Sequence, residues 1–154
     1  MAGQIEARLA ALGLTLPPAP QPVANYVGFV VVGREIHVAG VGPTWGREVR
    51  HSGKLGAQLD VAQGYEAARL TALNLLAHAK AAIGDLDRIT RCVKLFCLVN
   101  AVPEFLDGTK VADGATDLLN DLFGPDKRPV RSTTTAPSLP FDIAFEADGI
   151  FLFE

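Results

Sequence analysis

Apolar residues recur along this chain with two periods, and the switches between them mark its elements. From Asp60 to Ile83, Val61, Tyr65, Ala68, Ala72, Leu75, Ala79 and Ala82 fall three or four residues apart. That repeat lines one face of an α-helix, and Gly84 ends the run. Gln63, Glu66 and Lys80 lie mostly off the stripe. Val111, Ala115, Leu118, Leu119 and Leu122 predict a second helix, stopped by Gly124-Pro125. A short amphipathic helix is expected over Gln4 to Leu12, carried by Ile5, Leu9 and Leu12. The Pro-rich stretch Leu16 to Pro22 ends it and serves as a semi-rigid connector.

Between the helices the pattern is strand-like. Two runs, YVGFVVV and EIHVAG, flank Gly33-Arg34 and predict a β-hairpin turning at Gly33. Val41 to Gly56 is Gly-rich and charged, hence loop, with a short strand expected near Val49. ITRCVKLFCLV, within Asp85 to Val99, reads as a strand, and further strands are expected at Val130 to Thr135 and Phe141 to Ala147. A last apolar piece covers Ile150 to Phe153. Hairpin, helix, strand, helix, strand, strand is an α+β order: one sheet with both long helices on one face.

Composition narrows the class. A chain of 154 residues, 49% hydrophobic and 20% charged, is most simply one globular domain spanning 1–154, with the helix and connector of 1–22 as an extension. The net charge of −3 argues against nucleic acid, because phosphate binding favours a basic face. Met1 to Leu14 contains Glu6 and Arg8 and lacks the apolar core of a signal peptide, and no apolar run approaches the roughly 20 residues of a spanning helix. Cys92 and Cys97, five apart in one strand, should face opposite sides and stay unbridged. A reduced, cytoplasmic setting is therefore expected, with no membrane partner. His37, His51 and His78 are scattered and show no metal-ligand spacing, and no phosphate or dinucleotide fingerprint occurs. No metal and no cofactor are expected.

The candidate chemistry lies near the C-terminus, in RSTTTAPSLPFDIAFEADGIFLFE. Arg131 and Glu146 sit in otherwise apolar, strand-like sequence, where a charge is costly unless paired or used on a ligand. Two readings stand open. In one, Arg131 makes a strand-edge ion pair and Glu146 pairs with Lys94 or Arg91. In the other, Arg131 grips a carboxylate through two parallel hydrogen bonds and Glu146 moves a proton.

Arg131-Ser132, then Leu139-Pro140, then Glu146-Ala147 resembles the C-terminal signature of the Rid/YjgF family, the reactive intermediate deaminases also called endoribonuclease L-PSP. The order of elements from about Pro22 to Glu154 is similar too. The resemblance implies a chorismate-mutase-like fold: one mixed sheet, two helices on one face, and a homotrimer. In it the last two strands flank the Ile89–Val99 strand, and Arg131 and Glu146 reach towards one cleft. It implies hydrolysis of reactive enamines or imines to 2-keto acids and ammonia, or else a non-catalytic small-molecule-binding trimer. The implied partners are a carboxylated small molecule and further copies of the chain.

Residue by residue, the resemblance gives Arg131 the substrate carboxylate and Glu146 the water that attacks the imine carbon. Tyr26 would wall the pocket, although Tyr26-Val27-Gly28-Phe29 lacks the family's hydroxyl and amide after the tyrosine. An ordinary strand aromatic is the alternative there. Gly40 would admit a ligand to the backbone, and Thr133 would donate a hydrogen bond beside the arginine. Asn100 corresponds to an asparagine beyond the central strand, with a turn role as the alternative.

Overall fold

The structure, a computed structural model, describes residues 3–154. In chain order it contains α1 (Gln4–Ala11), β1 (Phe29–Val32), β2 (Glu35–Val41), β3 (Thr44–Trp45), β4 (Glu48–Val49), α2 (Val61–Ile83), β5 (Ile89–Asn100), α3 (Gly108–Phe123), β6 (Val130–Ala136) and β7 (Phe145–Phe153). The five long strands form one mixed sheet in the order β1-β2-β7-β5-β6, and β3 and β4 make a separate two-stranded ribbon. β5 runs parallel to β6 and antiparallel to β7, so the last two strands flank it as the family resemblance implies.

Local chemistry explains the boundaries. The Asp60 carboxylate accepts from the Gln63 N–H at 2.8 Å, and the Gln63 side chain accepts from the Asp60 N–H at 2.9 Å. This reciprocal cap satisfies two otherwise orphaned donors and starts α2, which Gly84 ends at φ 83°. Gly33 at φ 60° makes the two-residue turn between Val32 and Glu35. The Asp87 carboxylate accepts from the N–H groups of Gln4 and Ile5, at 2.7 and 2.9 Å, and pins the start of α1.

The two long helices pack on one face of the sheet. Leu75 and Leu76 of α2 and Leu118, Leu119 and Leu122 of α3 meet Leu95, Val99, Phe145 and Phe151 in a fully buried core. Among the described residues no helix covers the other face, where Val30 (48%), Val32 (61%) and Phe96 (37%) are exposed. Among the described residues no helix is long and apolar enough to cross a membrane.

Three expectations need correction. The strand expected at Phe141 to Ala147 begins only at Phe145. Pro140–Asp142 form a 3-10 turn with Phe141 and Asp142 at φ 58° and 55°, and the apolar piece at Ile150 to Phe153 belongs to the same β7. The first strand of the hairpin starts at Phe29, so Tyr26 lies in irregular chain. Cys92 and Cys97 do not face opposite sides: both are buried. The register slips between Cys92, opposite Phe151, and Lys94, opposite Ile150. The extra residue restores the phase, so Cys92, Leu95, Cys97 and Val99 all point inward. Both thiols are free. Five residues at about 3.3 Å each hold them too far apart for a disulfide.

Candidate functional site

A cavity of about 740 Å³ opens at the start of β1, where pairing with β2 ends after the Ala39 N–H donates to the Gly28 carbonyl at 2.9 Å, and Gly40, Val41 and Gly42 line it. Glu146 enters it from β7, Tyr26 from the segment before β1, Arg47 from the β3–β4 turn and His78 from α2. Its apolar walls come from the Pro18–Val23 stretch, Val49, Phe141 and Ile143. Volume and lining are those of a small-molecule site: mostly apolar, with a few convergent polar groups.

Glu146 is the electrostatic centre of this cavity. It points away from the helices, because its register partner is Leu98, out of phase with the buried Leu95, Cys97 and Val99. The carboxylate makes no ion pair with Lys94 or Arg91: Lys94 acts on Asp148, and the Arg91 guanidinium donates to the Arg128 carbonyl at 2.9 Å. Burial pushes the Glu146 pKa up, and the nearby Asp148 carboxylate adds to the shift. Gly40 makes room for it. A Cβ on Gly40 would lie 2.8 Å from Glu146 Oε1, so any other residue there would displace the carboxylate.

Arg131 occupies a different place. Its partner on β5 is Leu95, which faces the helices, and its guanidinium meets α3. Nη1 donates to Asp113 at 2.9 Å and to the Thr116 hydroxyl at 3.0 Å, and Nη2 donates to the Thr109 carbonyl at 3.2 Å. Within one copy of the chain Arg131 and Glu146 are on opposite faces of the sheet. The structural ion pair weighed for the arginine exists, with a helical partner instead of a strand one. Thr133 lies on the Arg131 face opposite Cys97, and its buried hydroxyl has no nitrogen or oxygen partner. Burial pushes the Cys97 thiol up to about 12, although Arg131 acts in the opposite sense.

Tyr26 and Gly40 thus join Glu146 at the cavity, whereas Arg131, Thr133 and Asn100 do not line it. Asn100 is fully buried and works as a clamp. Its Nδ2 donates to Asp142 at 3.0 Å and to the Ile143 carbonyl at 3.1 Å, and its Oδ1 accepts from Lys54 at 2.8 Å. It therefore fixes the strained Phe141–Asp142 turn that forms part of the cavity wall. His78 and Arg47 escaped the sequence reading. A lone histidine in a helical stripe and an arginine in a Gly-rich loop carry no spacing signal, and only the tertiary arrangement brings them to Glu146. No group of three or more described His, Cys, Asp or Glu residues is placed to hold a metal ion.

Comparison with known proteins adds relatives of the same shape. The family model described as "YjgF/chorismate_mutase-like, putative endoribonuclease" matches residues 6–148. The chain is 41% identical over 149 residues to Protein TCP17 of Trypanosoma cruzi, covering 96% of this chain and 93% of the relative. The crystal structure of Atu1372 from Agrobacterium tumefaciens, a protein of unknown function, shares 39% identity with a TM-score of 0.91 over 98% of this chain and 93% of that one. The YjgF gene product of Escherichia coli superposes with a TM-score of 0.61 at 25% identity, covering 88% of this chain and 92% of its own.

Proposed function

The chain belongs to the YjgF/chorismate-mutase-like family, and on that premise we propose that it hydrolyses carboxylated imines or enamines to 2-keto acids and ammonia. The observation that carries the reading is Glu146: an unpaired, partly desolvated carboxylate facing an apolar cavity beside Gly40 and Tyr26. A raised pKa brings a carboxylate nearer the range where it is both ionised and ready to take a proton. Glu146 removes a proton from water as the oxygen attacks the imine carbon. Glu146 returns that proton to the nitrogen to give the carbinolamine, then relays the hydroxyl proton to the same nitrogen as the carbonyl forms and the carbon–nitrogen bond breaks, so ammonia leaves and the carboxylate is ionised again. Imines already hydrolyse in water, so a site that orders one substrate and one water supplies much of what is needed.

The carboxylate anchor follows from the two faces. Arg131 of one copy cannot reach the Glu146 cavity of the same copy, so in this reading a homotrimer brings it to the cavity of a neighbour. The bare sheet face with Val30, Val32 and Phe96 supports self-association, since exposed apolar patches favour burial against a partner. Arg47 is the cation that a single copy offers at the cavity. The net charge of −3 argues against RNA as the substrate.

A coupled assay with several amino-acid-derived imines, run beside light scattering, tests the proposal. Ammonia release above the uncatalysed rate and a mass of three chains are expected. No acceleration with any imine would remove the deaminase and leave the binding-only trimer, which the missing hydroxyl and amide after Tyr26 favour. A stable monomer at micromolar concentration would remove Arg131 as the anchor. The variant pair R47Q and R131K then separates the two arginines, because lysine keeps the charge but loses the planar two-point grip.

A further inference from the structure

His78 is a buried histidine without a protein partner. It lies on the inner side of α2 and is 4% exposed, yet neither ring nitrogen forms a hydrogen bond with a described residue. Burial alone lowers its pKa, which keeps the ring neutral at physiological pH, with one nitrogen a donor and the other an acceptor. The ring nitrogens are not among the sealed-off polar atoms that lack a partner, so they face the open cavity, where a ligand can reach them.

The ring is held where it lines the cavity. It meets the Phe29 ring edge-on, with centroids 6.1 Å apart at 62°. On its other flank is Gly28: a Cβ there would sit 2.5 Å from the imidazole Cε1 and 3.0 Å from Nδ1. Only glycine lets the chain pass so close to the ring. His78 and Glu146, from opposite sides of the sheet, therefore both line one cavity at the start of β1. Apart from Gln21, Tyr26, Thr44 and Arg47 the remaining wall is largely apolar, from Pro18, Pro20 and Pro22 to Phe141, and the space far exceeds a three-carbon imine.

We infer that His78 is a ligand-binding residue of this cavity: it hydrogen-bonds the imine nitrogen of the substrate, or the keto oxygen that replaces it, in a carboxylated ligand whose bulky apolar side chain packs on the Pro-rich wall. The inference takes the ligand's chemical class from the proposed deamination but needs no turnover.

The test titrates phenylpyruvate and pyruvate into the wild type, His78→Leu and His78→Gln by calorimetry. Nitrogen-15 spectra of the histidine rings are recorded in parallel. The wild type should bind phenylpyruvate about tenfold or more tighter than pyruvate, as an apolar wall rewards an aromatic side chain. His78→Leu should weaken phenylpyruvate roughly tenfold, the worth of one good hydrogen bond, and His78→Gln should stay within about threefold. The thermal midpoint of His78→Leu should match or exceed the wild type, because no protein partner is lost; a merely structural histidine would lower it. The His78 ring resonances should move on phenylpyruvate addition. Absent phenylpyruvate binding, undiminished affinity in His78→Leu, or ring resonances unmoved at saturation would each overturn the inference, and the last needs no variant that folds. Absent imine turnover with His78-dependent binding intact would sink the deaminase alone; turnover with affinity indifferent to His78 would sink this inference alone.

Discussion

Arg131 and Glu146 both carry charge on strands of one sheet, but their surroundings differ. Arg131 makes three hydrogen bonds to α3, through Asp113, Thr116 and the Thr109 carbonyl. Glu146 makes no hydrogen bond or ion pair with a described residue, and burial raises its pKa. The fold supplies the arginine with partners and leaves the carboxylate open. A buried charge that is satisfied fixes geometry, whereas one left unsatisfied persists where a ligand or a proton can use it. The difference supports the proposed reactive role for Glu146 on β7, while Arg131 on β6 locks α3 to the sheet within each copy.

The sharpest way to break this contrast is Glu146→Gln. The amide keeps the shape and cannot accept a proton, so turnover of a carboxylated imine should fall by roughly two to four orders of magnitude. Keto-acid affinity, read by calorimetry, should hold or rise, because a negative charge facing the ligand is gone. Unchanged turnover would move the base elsewhere.

Gly40→Ala approaches the same carboxylate indirectly. The new methyl group would lie 2.8 Å from Glu146 Oε1, and the far end of a flexible side chain can yield at little cost in stability. A carboxylate pushed aside by about 1 Å can lose roughly 10²-fold in rate. Steady-state kinetics beside a thermal melt should thus show a large fall in kcat with a nearly constant midpoint. A fall in both would mean that the backbone, not the carboxylate, has moved.

On the other side, Arg131→Ala should act first on stability. It strips Asp113 and Thr116 of their donor, and because Asp113 is half exposed the loss should be about 1–2 kcal/mol by urea unfolding. A variant as stable as the wild type but unable to bind keto acids would show that Arg131 serves a neighbouring copy's cavity more than its own helix.

The periodic parts of this architecture were legible because period is a local property. The α2 stripe, the Gly33 turn and the Asp60 and Gly84 boundaries each depend on residues a few positions apart. Glu146, Gly40 and Tyr26, named from their motif positions, line the cavity. Three things were out of reach. The bulge that turns Cys92 inward is set by pairing with β7, not by ITRCVKLFCLV itself. Which face Arg131 takes depends on parallel register with Leu95. His78 and Arg47 join the cavity from α2 and the β3–β4 turn, elements that meet Glu146 only in the folded arrangement. Their own neighbours in sequence hold no trace of this.

The smallest predicted effect is a pH dependence of stability, and its sign separates an open carboxylate from a paired one. The folded pKa of Glu146 is raised above the ordinary 4.5, so folding favours its protonated form. The stability this contributes is fully present below pH 4.5 and is lost as pH rises through 4.5 towards the raised folded value. A salt-bridged carboxylate would give the opposite slope, gaining stability over its window as pH rises. His78, with a lowered folded pKa, loses stability as pH falls through 6.5, and so its window overlaps that of Glu146. Subtraction removes the overlap: Glu146→Gln keeps His78 and Asp148, so the wild-type-minus-variant difference isolates the carboxylate. Urea unfolding at half-unit steps from pH 4 to 7 should show that difference moving against the wild type as pH rises, then levelling off. A difference that moves in the wild type's favour would mean that Glu146 is paired after all, and the contrast with Arg131 would collapse.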